Sequence, residues 1–234
     1  CEPILGFMLQ GLDVEPNPLL TPNTDASQLE TIYEDEHLLV VNKPAGMLSV
    51  PGKNGQASVQ SLLRKRYPEA KGQLTVHRLD MDTSGIIIYA KTKDSEAGLK
   101  KQFEDHSIRK IYKARLSPAD NNRFICNAPS LKPGDKGRID IALSPDYDER
   151  PRQKVDFSQG KESLTEYEVA SVNDDGTTDI LFYPHTGRTH QLRLHCAHMG
   201  WPILGDPQYG TAESQAFSAL FGMSSQALCA KRLE

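Results

Sequence analysis

The segment VHRLDMDTSG, residues 76–85, places two carboxylates, a guanidinium and an imidazole directly before the apolar run IIIYA. An ionised Asp80 that a partner orients could act as a covalent nucleophile. Because burial favours the neutral form of a carboxyl group and a nearby arginine favours its charged form, such a nucleophile needs an arginine beside it. Asp, Thr and Ser side chains also bond readily to neighbouring backbone. Taken alone, the segment therefore favours a turn in which Asp80 and Asp82 are structural.

A second segment, YPHTGRTHQLRLH over residues 183–195, contains the arginine that such a nucleophile would need. Gly187 interrupts a strand pattern and a helical pattern follows, so Arg188 is expected at the strand-to-helix turn. Helix N-termini readily hold phosphates and carboxylates. The ordinary alternative for Arg188 is a solvated charge on a surface loop.

The segment RKIYKARL, residues 109–116, combines basic side chains with one aromatic ring. Strand alternation places Lys110, Tyr112 and Ala114 on one face. A basic strand that carries an aromatic side chain can stack a nucleic-acid base. The alternative is a solvated strand on which Tyr112 simply packs against the core.

Three histidines, His190, His195 and His198, lie close together in the sequence. A zinc-binding helix places two histidines four residues apart with a glutamate between them. The five-residue step from His190 to His195 turns a helix by about 500°, so these two do not share a face. The four cysteines form no Cys-x-x-Cys pair. We therefore expect no metal cofactor, and predict histidines that lie in the core or bond to backbone.

Composition excludes several protein classes. The 234 residues are 38% hydrophobic and 25% charged, which excludes disordered and collagen-like chains and suits one large domain or two small ones. The longest apolar runs, such as GIIIYA, are far shorter than the roughly 20 residues of a membrane span, and no signal-peptide pattern opens the chain. Four scattered cysteines indicate a reducing, cytoplasmic location.

The net charge of −4 argues against nucleic-acid binding, but the charge is unevenly distributed. Residues 1–36 contain eight acidic residues and neither Lys nor Arg. Basic clusters follow at 64–66, 109–115 and 150–154. The total charge therefore conceals basic segments that could contact phosphate.

Periodicity and turn residues predict an α+β fold with a mixed, largely antiparallel sheet. Helices are predicted at 57–67, at 93–106 with Asp94 or Ser95 as N-cap, and at 190–200. Strands are predicted within 31–43 and at 85–92, 109–116, 138–143, 154–157, 163–172 and 177–184, the last two joined by the turn NDDG. We expect an irregular acidic arm at 1–30, a compact domain at 31–232 and a cloning remnant at 233–234. Because the chain begins at Cys1 rather than Met, we expect it to be a fragment of a longer polypeptide.

Five segments together resemble the motifs of the RluA-type pseudouridine synthases, in the order of that family. They are VVNKPAGMLSVPG (40–52), HRLDMDTSGIIIYAKT (77–92), RKIYKARL (109–116), TGRTHQLRLH (186–195) and GWPILGDPQYG (200–210). The resemblance runs from about residue 31 to the C-terminus and is strongest to the small members that act on 23S rRNA and tRNA. Many members have an S4-type RNA-binding module before the catalytic domain, and residues 1–30 are too short and too acidic for one.

The resemblance implies the pseudouridine synthase catalytic fold at 31–232 and an isomerase that uses no metal or redox cofactor. In this family the uracil is detached from C1′, turned and rejoined through C5. The implied roles are Asp80 as the catalytic carboxylate, Arg188 as its partner, and Tyr112 as the residue that stacks on the uracil and could move the C5 proton. Arg78 would fill the gap left by the flipped base. For His77, a bond to backbone and a contact with RNA both stay open.

The resemblance also implies a partner and its contacts. We expect the protein to bind a stem–loop of rRNA or tRNA as a monomer, with no membrane association. Two alternatives are a catalytically silent RNA-binding module on the same scaffold and a metal hydrolase built on the three histidines. Candidate phosphate contacts are Lys43, Arg64, Arg66, Arg152, Lys154 and Arg193.

Overall fold

The computed structural model describes residues 29–52, 55–72, 74–118, 130–223 and 225–234. The chain divides into two compact units. The first unit lies within Cys1–Lys110 and Cys229–Glu234, and the second is Ile111–Leu228. The range 31–232, predicted as one domain, is thus distributed over both units. Of the predicted arm at 1–30, only residues 29 and 30 are among the described residues.

The described residues form nine strands and four helices, and most of them agree with the sequence patterns. The strands are β1 (Glu30–Glu34), β2 (Leu38–Lys43), β3 (Ser84–Ala90), β4 (Lys110–Leu116), β5 (Lys136–Pro145), β6 (Gln153–Val155), β7 (Lys161–Val172), β8 (Thr178–Pro184) and β9 (Leu228–Leu233). The helices are α1 (Val59–Arg66), α2 (Lys93–Glu104), α3 (Gln191–His198) and α4 (Ala212–Leu220).

In the first unit, β1, β2 and β3 pair antiparallel, and β9 runs parallel to β3. Every residue of β3 is buried, which explains why its sequence is a continuous apolar run rather than an alternating one. A core cluster forms from the apolar residues of β2 and β3 with Leu99 of α2, Ile108 and Leu233. The sheet therefore provides a rigid base for the segment that enters β3, which contains Asp80.

In the second unit, all described strand pairs are antiparallel, in the order β4-β8-β7-β5-β6. The predicted β7–β8 hairpin is confirmed, since Asn173 and Thr177 close its turn and Gly176 has a φ of +84°. The core of this unit includes Phe182 of β8 and Trp201 beyond α3. With the parallel β3–β9 pair, the α+β class and the mixed, largely antiparallel pairing are confirmed.

Three details differ from the predictions. The N-cap of α2 is Thr92 rather than Asp94 or Ser95, because its extended backbone lets its hydroxyl accept from the Ser95 N–H. Helix α4 and strand β9 were not predicted. The exclusion of residues 233–234 from the fold is wrong, because Leu233 is 2% exposed and Glu234 exchanges two backbone hydrogen bonds with Arg109.

Across the described ranges, no helix is both long and apolar enough to cross a membrane.

Candidate active site

Asp80 lies in the first unit, on a loop that turns directly into β3. The Thr83 N–H donates to the Asp80 carbonyl at 3.2 Å, and Met81 and Asp82 form the turn between them. Asp80 is half-buried, whereas Thr83 and Ser84 are 3% and 5% exposed. The buried residues after the turn anchor it to the sheet, and Asp80 stays accessible at its edge.

Lys43 holds the loop that contains Asp80 through hydrogen bonds to backbone carbonyls. Its side chain is 0% exposed, and Nζ donates to the carbonyl oxygens of Pro44, Met47 and Met81 at 2.8, 2.7 and 2.8 Å. Burial lowers the pKa of Lys43 to about 7, while the charges of Asp82 and Asp80 raise it. An ammonium has three N–H groups, and three carbonyls use all of them. The prediction that Lys43 contacts phosphate is therefore wrong, because the group is buried and already bonded.

Ser49 fixes the residue immediately before Asp80. Its hydroxyl donates to the Leu79 carbonyl at 2.7 Å and accepts from the Leu79 N–H at 3.0 Å. The Tyr89 hydroxyl of β3 donates in turn to the Ser49 carbonyl at 3.3 Å. One buried hydroxyl thus satisfies both backbone groups of Leu79. Sequence reasoning missed this residue, although it lies within the first family-like segment, 40–52.

His77 bonds to backbone, which answers the question left open by the sequence. Its Nε2 accepts from the Ile88 N–H at 2.9 Å, and its ring stacks on Phe103 with centroids 4.5 Å apart. Burial, with a smaller contribution from the charge of Lys110, lowers the pKa of His77 to about 3. The ring is therefore neutral at physiological pH, with its proton on Nδ1.

Gly85 is required where the loop joins β3. It has a φ of +110°, and a Cβ there would lie 2.3 Å from the Ala230 carbonyl oxygen and 2.6 Å from the Ala230 nitrogen. Both atoms belong to the backbone of β9 and cannot move aside. Glycine alone allows β9 to approach β3 this closely. Gly85 thus allows β9 to pack directly against the start of β3, behind the loop that contains Asp80.

Arg78 is exposed beside this loop, and Met81 is 46% exposed. Exposure is compatible with insertion of Arg78 into an RNA helix. That role stays a prediction.

Tyr112 lies on β4, in the second unit. It faces Phe182 of β8 across the strand pair and packs against the core cluster that contains Ala114 and Phe182. It is half-buried. The ring is thus supported by the core on one side, which a residue that stacks on a base requires.

Arg188 lies in the turn between β8 and α3. Its backbone N–H donates to the Gln191 side-chain oxygen at 2.9 Å, and its Nε donates to the Glu162 carbonyl at 3.1 Å. The side chain is exposed. The buried Gln191 amide also donates to Leu164 and Thr165, so it joins the Arg188 turn to β7. Sequence reasoning placed Arg188 in the correct turn but missed Gln191.

Arg193 was predicted to contact phosphate, and the structure contradicts this. It is 5% exposed and forms a bidentate ion pair with Asp206, with N–O distances of 2.7 and 2.9 Å. It also donates to Gln208 at 2.9 Å and lies over the Tyr209 ring. Arg193 therefore connects α3 to the loop at 205–209. Its guanidinium is buried and bonded, so a phosphate cannot reach it.

Arg64 and Arg66 lie on α1 and differ in what they contact. The Arg64 guanidinium donates to the Ala70 and Gly72 carbonyls at 2.8 and 2.5 Å, so it holds the loop after α1. Arg66 is exposed and lies 3.4 Å from Glu34. Contact with phosphate stays a prediction for both residues. The Arg64 guanidinium already donates to two backbone carbonyls, whereas Arg66 is exposed.

Arg152 and Lys154 are both exposed. Arg152 directly precedes β6, and Lys154 lies within it. Arg152 pairs with Glu149 at 2.7 Å, and its guanidinium lies 5.7 Å from the centre of the Tyr209 ring. Their contact with phosphate stays a prediction.

Two of the three histidines, His190 and His195, have separate hydrogen-bond partners. His190 Nδ1 lies 2.9 Å from the Tyr209 hydroxyl, and His195 Nε2 lies 2.8 Å from the Ser163 hydroxyl. Both are buried, as predicted, and burial lowers the pKa of His195 to about 4. Among the residues that the structure describes, no group of three His, Cys, Asp or Glu side chains could hold a metal ion.

Comparison with known proteins identifies the family. The sequence pattern described as RNA pseudouridylate synthase matches residues 37–198. The chain belongs to the RNA pseudouridylate synthase family. It is 42% identical over 200 residues to the dual-specificity RNA pseudouridine synthase RluA of Yersinia pestis, covering 85% of this chain and 90% of that protein. Identity to RluA of Escherichia coli K12 is 41% over 196 residues, covering 81% of each.

Solved structures show the same fold. Human RNA Pseudouridylate Synthase Domain Containing 1 superposes with a TM-score of 0.68 at 26% identity, covering 92% of this chain and 80% of that one. The human Domain Containing 4 protein gives 0.64 at 22% identity, covering 89% and 85%, and shows the fold alone. The RluA-type resemblance is confirmed, and the synthase is an isomerase that acts on RNA. Asp80 lies in the first unit, and Tyr112 and Arg188 lie in the second. Their joint action stays a prediction.

Proposed function

We propose that this synthase converts specific uridines to pseudouridine in structured RNA, in 23S rRNA, tRNA or both, with Asp80 as its catalytic group. The observation that carries this proposal is how the Asp80 loop is built. Lys43 and Ser49 bond to the backbone on both sides of Asp80, and Gly85 permits close packing behind it. A buried lysine that bonds three carbonyls is costly, and a covalent nucleophile needs this degree of preorganisation.

The proposed reaction is an isomerisation, so it consumes no water and no redox equivalent. Asp80 attacks C1′ of the ribose or the uracil ring, and the bond between C1′ and N1 breaks. The uracil turns, a bond forms between C1′ and C5, and the bond to Asp80 breaks. The C5 proton leaves and N1, released from C1′, takes up a proton, so the product has the same composition as the substrate. Tyr112 stacks on the uracil and is a candidate to move that proton, while Arg188 pairs with Asp80 and keeps it ionised. The target must first be flipped out, and Arg78 fills the gap.

The first test replaces the charge of Asp80 with minimal change in shape. Asp80→Asn is expected to abolish pseudouridine formation and to leave RNA affinity within about twofold, because an amide is a poor nucleophile but keeps the side-chain volume. Release of tritium from RNA labelled at C5 of uridine measures turnover. Asp82→Asn is the matched control and should keep most of the activity. Wild-type turnover by Asp80→Asn would show that the mechanism is wrong.

The second test concerns the proposed partner. Arg188→Ala should reduce the maximal rate by at least about 100-fold, because removal of a charge partner from a reacting group typically costs about 3 kcal/mol. Lys154→Ala, which removes another exposed cation of the second unit, should alter RNA affinity and leave the maximal rate unchanged. A near-normal rate for Arg188→Ala would contradict the pairing.

A silent RNA-binding module is the alternative function. It would have no need for Asp80, Tyr112 and Arg188 together, and all three occupy family-like segments. Such a module would bind RNA and release no tritium.

The proposal includes the range of RNA substrates, the oligomeric state and the location in the cell. The curated relatives are named dual-specificity enzymes, and we propose the same breadth here, for a monomer in the cytoplasm. Mapping of pseudouridine in RNA from a deletion strain and its parent identifies the target uridines.

A further inference from the structure

Two large aromatic side chains are exposed in the loops on either side of the short strand β6, Tyr147 in the loop between β5 and β6 and Phe157 in the turn after β6. Tyr147 is 68% exposed before the strand, and Phe157 is 74% exposed after it. Strand β6 is the last strand in the order of the second unit and pairs only with β5 among the described strands. An exposed phenyl ring leaves apolar area in water, so neither side chain contributes its full burial energy to folding.

The turn that presents Phe157 is tightly built. The Asp156 carboxylate accepts from the Ser158 N–H, the Ser158 hydroxyl, the Gln159 N–H and the Ser144 hydroxyl at 2.8–3.1 Å. These bonds lower the pKa of Asp156 to about 2, so the turn keeps its anchor at physiological pH. Gly160 closes the turn onto the Asp156 carbonyl. A ring held out by a fixed turn loses little backbone entropy when a ligand stacks on it.

Tyr147 is part of a stacked pair. The Arg150 guanidinium lies 4.8 Å from the centre of its ring, and both side chains are exposed. Guanidinium groups and aromatic rings both stack on unpaired bases. The same loop carries Asp146, Asp148 and Glu149, so its charge is not basic overall. The chemistry of this surface therefore favours stacking over attraction of phosphate.

Phe157 lies close along the chain to the candidate site of the second unit. Arg188 donates to the carbonyl of Glu162, which is five residues after Phe157. Five residues span at most about 17 Å of extended chain. Bases within a few nucleotides of a uridine bound at Arg188 are thus within reach of the ring.

We propose that Phe157 and Tyr147, named here the β6 platform, stack unpaired bases that flank the target uridine. This inference rests on the proposed function, because it takes RNA as the partner. Stacking of this kind tolerates any base, since every base has a π-face. The platform therefore selects loops over helices and leaves the choice of sequence to other contacts.

The test compares single substitutions in the 234-residue chain. Phe157→Ala and Tyr147→Ala should each weaken binding of a fluorescein-labelled RNA stem–loop about tenfold by anisotropy, and leave binding of a blunt duplex unchanged. The dependence on salt should keep its slope, because no phosphate contact is lost. Pseudouridine formation at saturating RNA should stay within about twofold of wild type. Phe221→Ala removes an equally apolar ring that is 51% exposed elsewhere in the second unit, and serves as the matched control.

A second variant detects stacking directly. Phe157→Trp should restore affinity, and its fluorescence should be quenched on addition of the stem–loop. The natural Trp201 is 4% exposed and contributes a constant background.

The outcomes separate the two proposals. If Phe157→Ala and Tyr147→Ala bind the stem–loop as tightly as Phe221→Ala does, the platform is wrong, even when the wild-type chain forms pseudouridine, and a protein partner becomes the better explanation of the exposed rings. If the wild-type chain forms no pseudouridine while both variants lose affinity for the stem–loop, the platform stands and the proposed function fails.

Discussion

Lys43→Met is the sharpest test of how the Asp80 loop is held. Methionine nearly matches the length of the lysine chain but has no N–H to donate. The variant therefore removes the bonds to Pro44, Met47 and Met81 and leaves the site filled. A lysine that contacted RNA would instead lose only an attraction to phosphate.

The expected change in stability follows from two opposing terms. Burial, partly offset by the charges of Asp82 and Asp80, lowers the pKa of Lys43 from 10.5 to about 7. This net shift corresponds to about 5 kcal/mol against the charged form, which methionine avoids. Each hydrogen bond from a charged donor contributes about 1.5–3 kcal/mol, so three contribute about 5–9 kcal/mol. The difference predicts a loss of about 2 kcal/mol of unfolding free energy. Release of the Met81 carbonyl should also lower the maximal rate at least about tenfold, because the nucleophile is less well held.

The measurement combines urea unfolding, tritium-release kinetics and RNA binding over a range of salt concentrations. Lys154→Met is the matched control, since Lys154 is exposed. It should keep the stability and maximal rate of wild type and reduce the salt slope by about 0.7 if it contacts single-stranded phosphate. Lys43→Met should show the opposite pattern, with lower stability and rate and an unchanged slope.

The refuting result is a Lys43→Met protein with wild-type stability and maximal rate but a shallower salt slope. That outcome would mean that Lys43 leaves its buried position to bind RNA.

Two further predictions concern the same loop. Gly85→Ala should destabilise the protein by more than about 3 kcal/mol, because the new Cβ would meet the Ala230 backbone at a position of positive φ. The control is Gly98→Ala in α2, where no atom lies near the new Cβ, and it should stabilise the protein by up to about 1 kcal/mol. Equal melting temperatures for the two variants would contradict this prediction. The pKa of His77 is about 3 in the folded state against 6.5 in the unfolded chain, so the unfolded state binds more protons between these values. The unfolding free energy should fall as pH decreases from 6.5, by up to about 1.4 kcal/mol per pH unit from this group. In urea titrations, His77→Gln should lessen this dependence of the unfolding free energy on pH. An unfolding free energy that stays constant between pH 6.5 and 5 would show that His77 is protonated at no cost.

Local sequence was sufficient to predict most elements and the family. Apolar runs such as IIIYA and the NDDG turn define β3 and the β7–β8 hairpin, because strand burial and turn geometry depend on residues a few positions apart. The same holds for the segment that contains Asp80 and for the turn that contains Arg188. Helix α4 and strand β9 were missed because their short patterns are weak and their burial comes from distant partners.

The roles of the charged residues depended on the tertiary structure. Lys43 and Lys154 were both predicted to contact phosphate, yet Lys43 is fully buried and Lys154 is exposed. Likewise, Arg193 is committed to Asp206 while Arg152 lies on the surface. The sequence by itself determined the fold class, the family and the segments that contain Asp80, Tyr112 and Arg188. Which cations support the loops and which face solvent was decided by packing between residues far apart in the chain, because burial is a sum over neighbours that no local pattern contains.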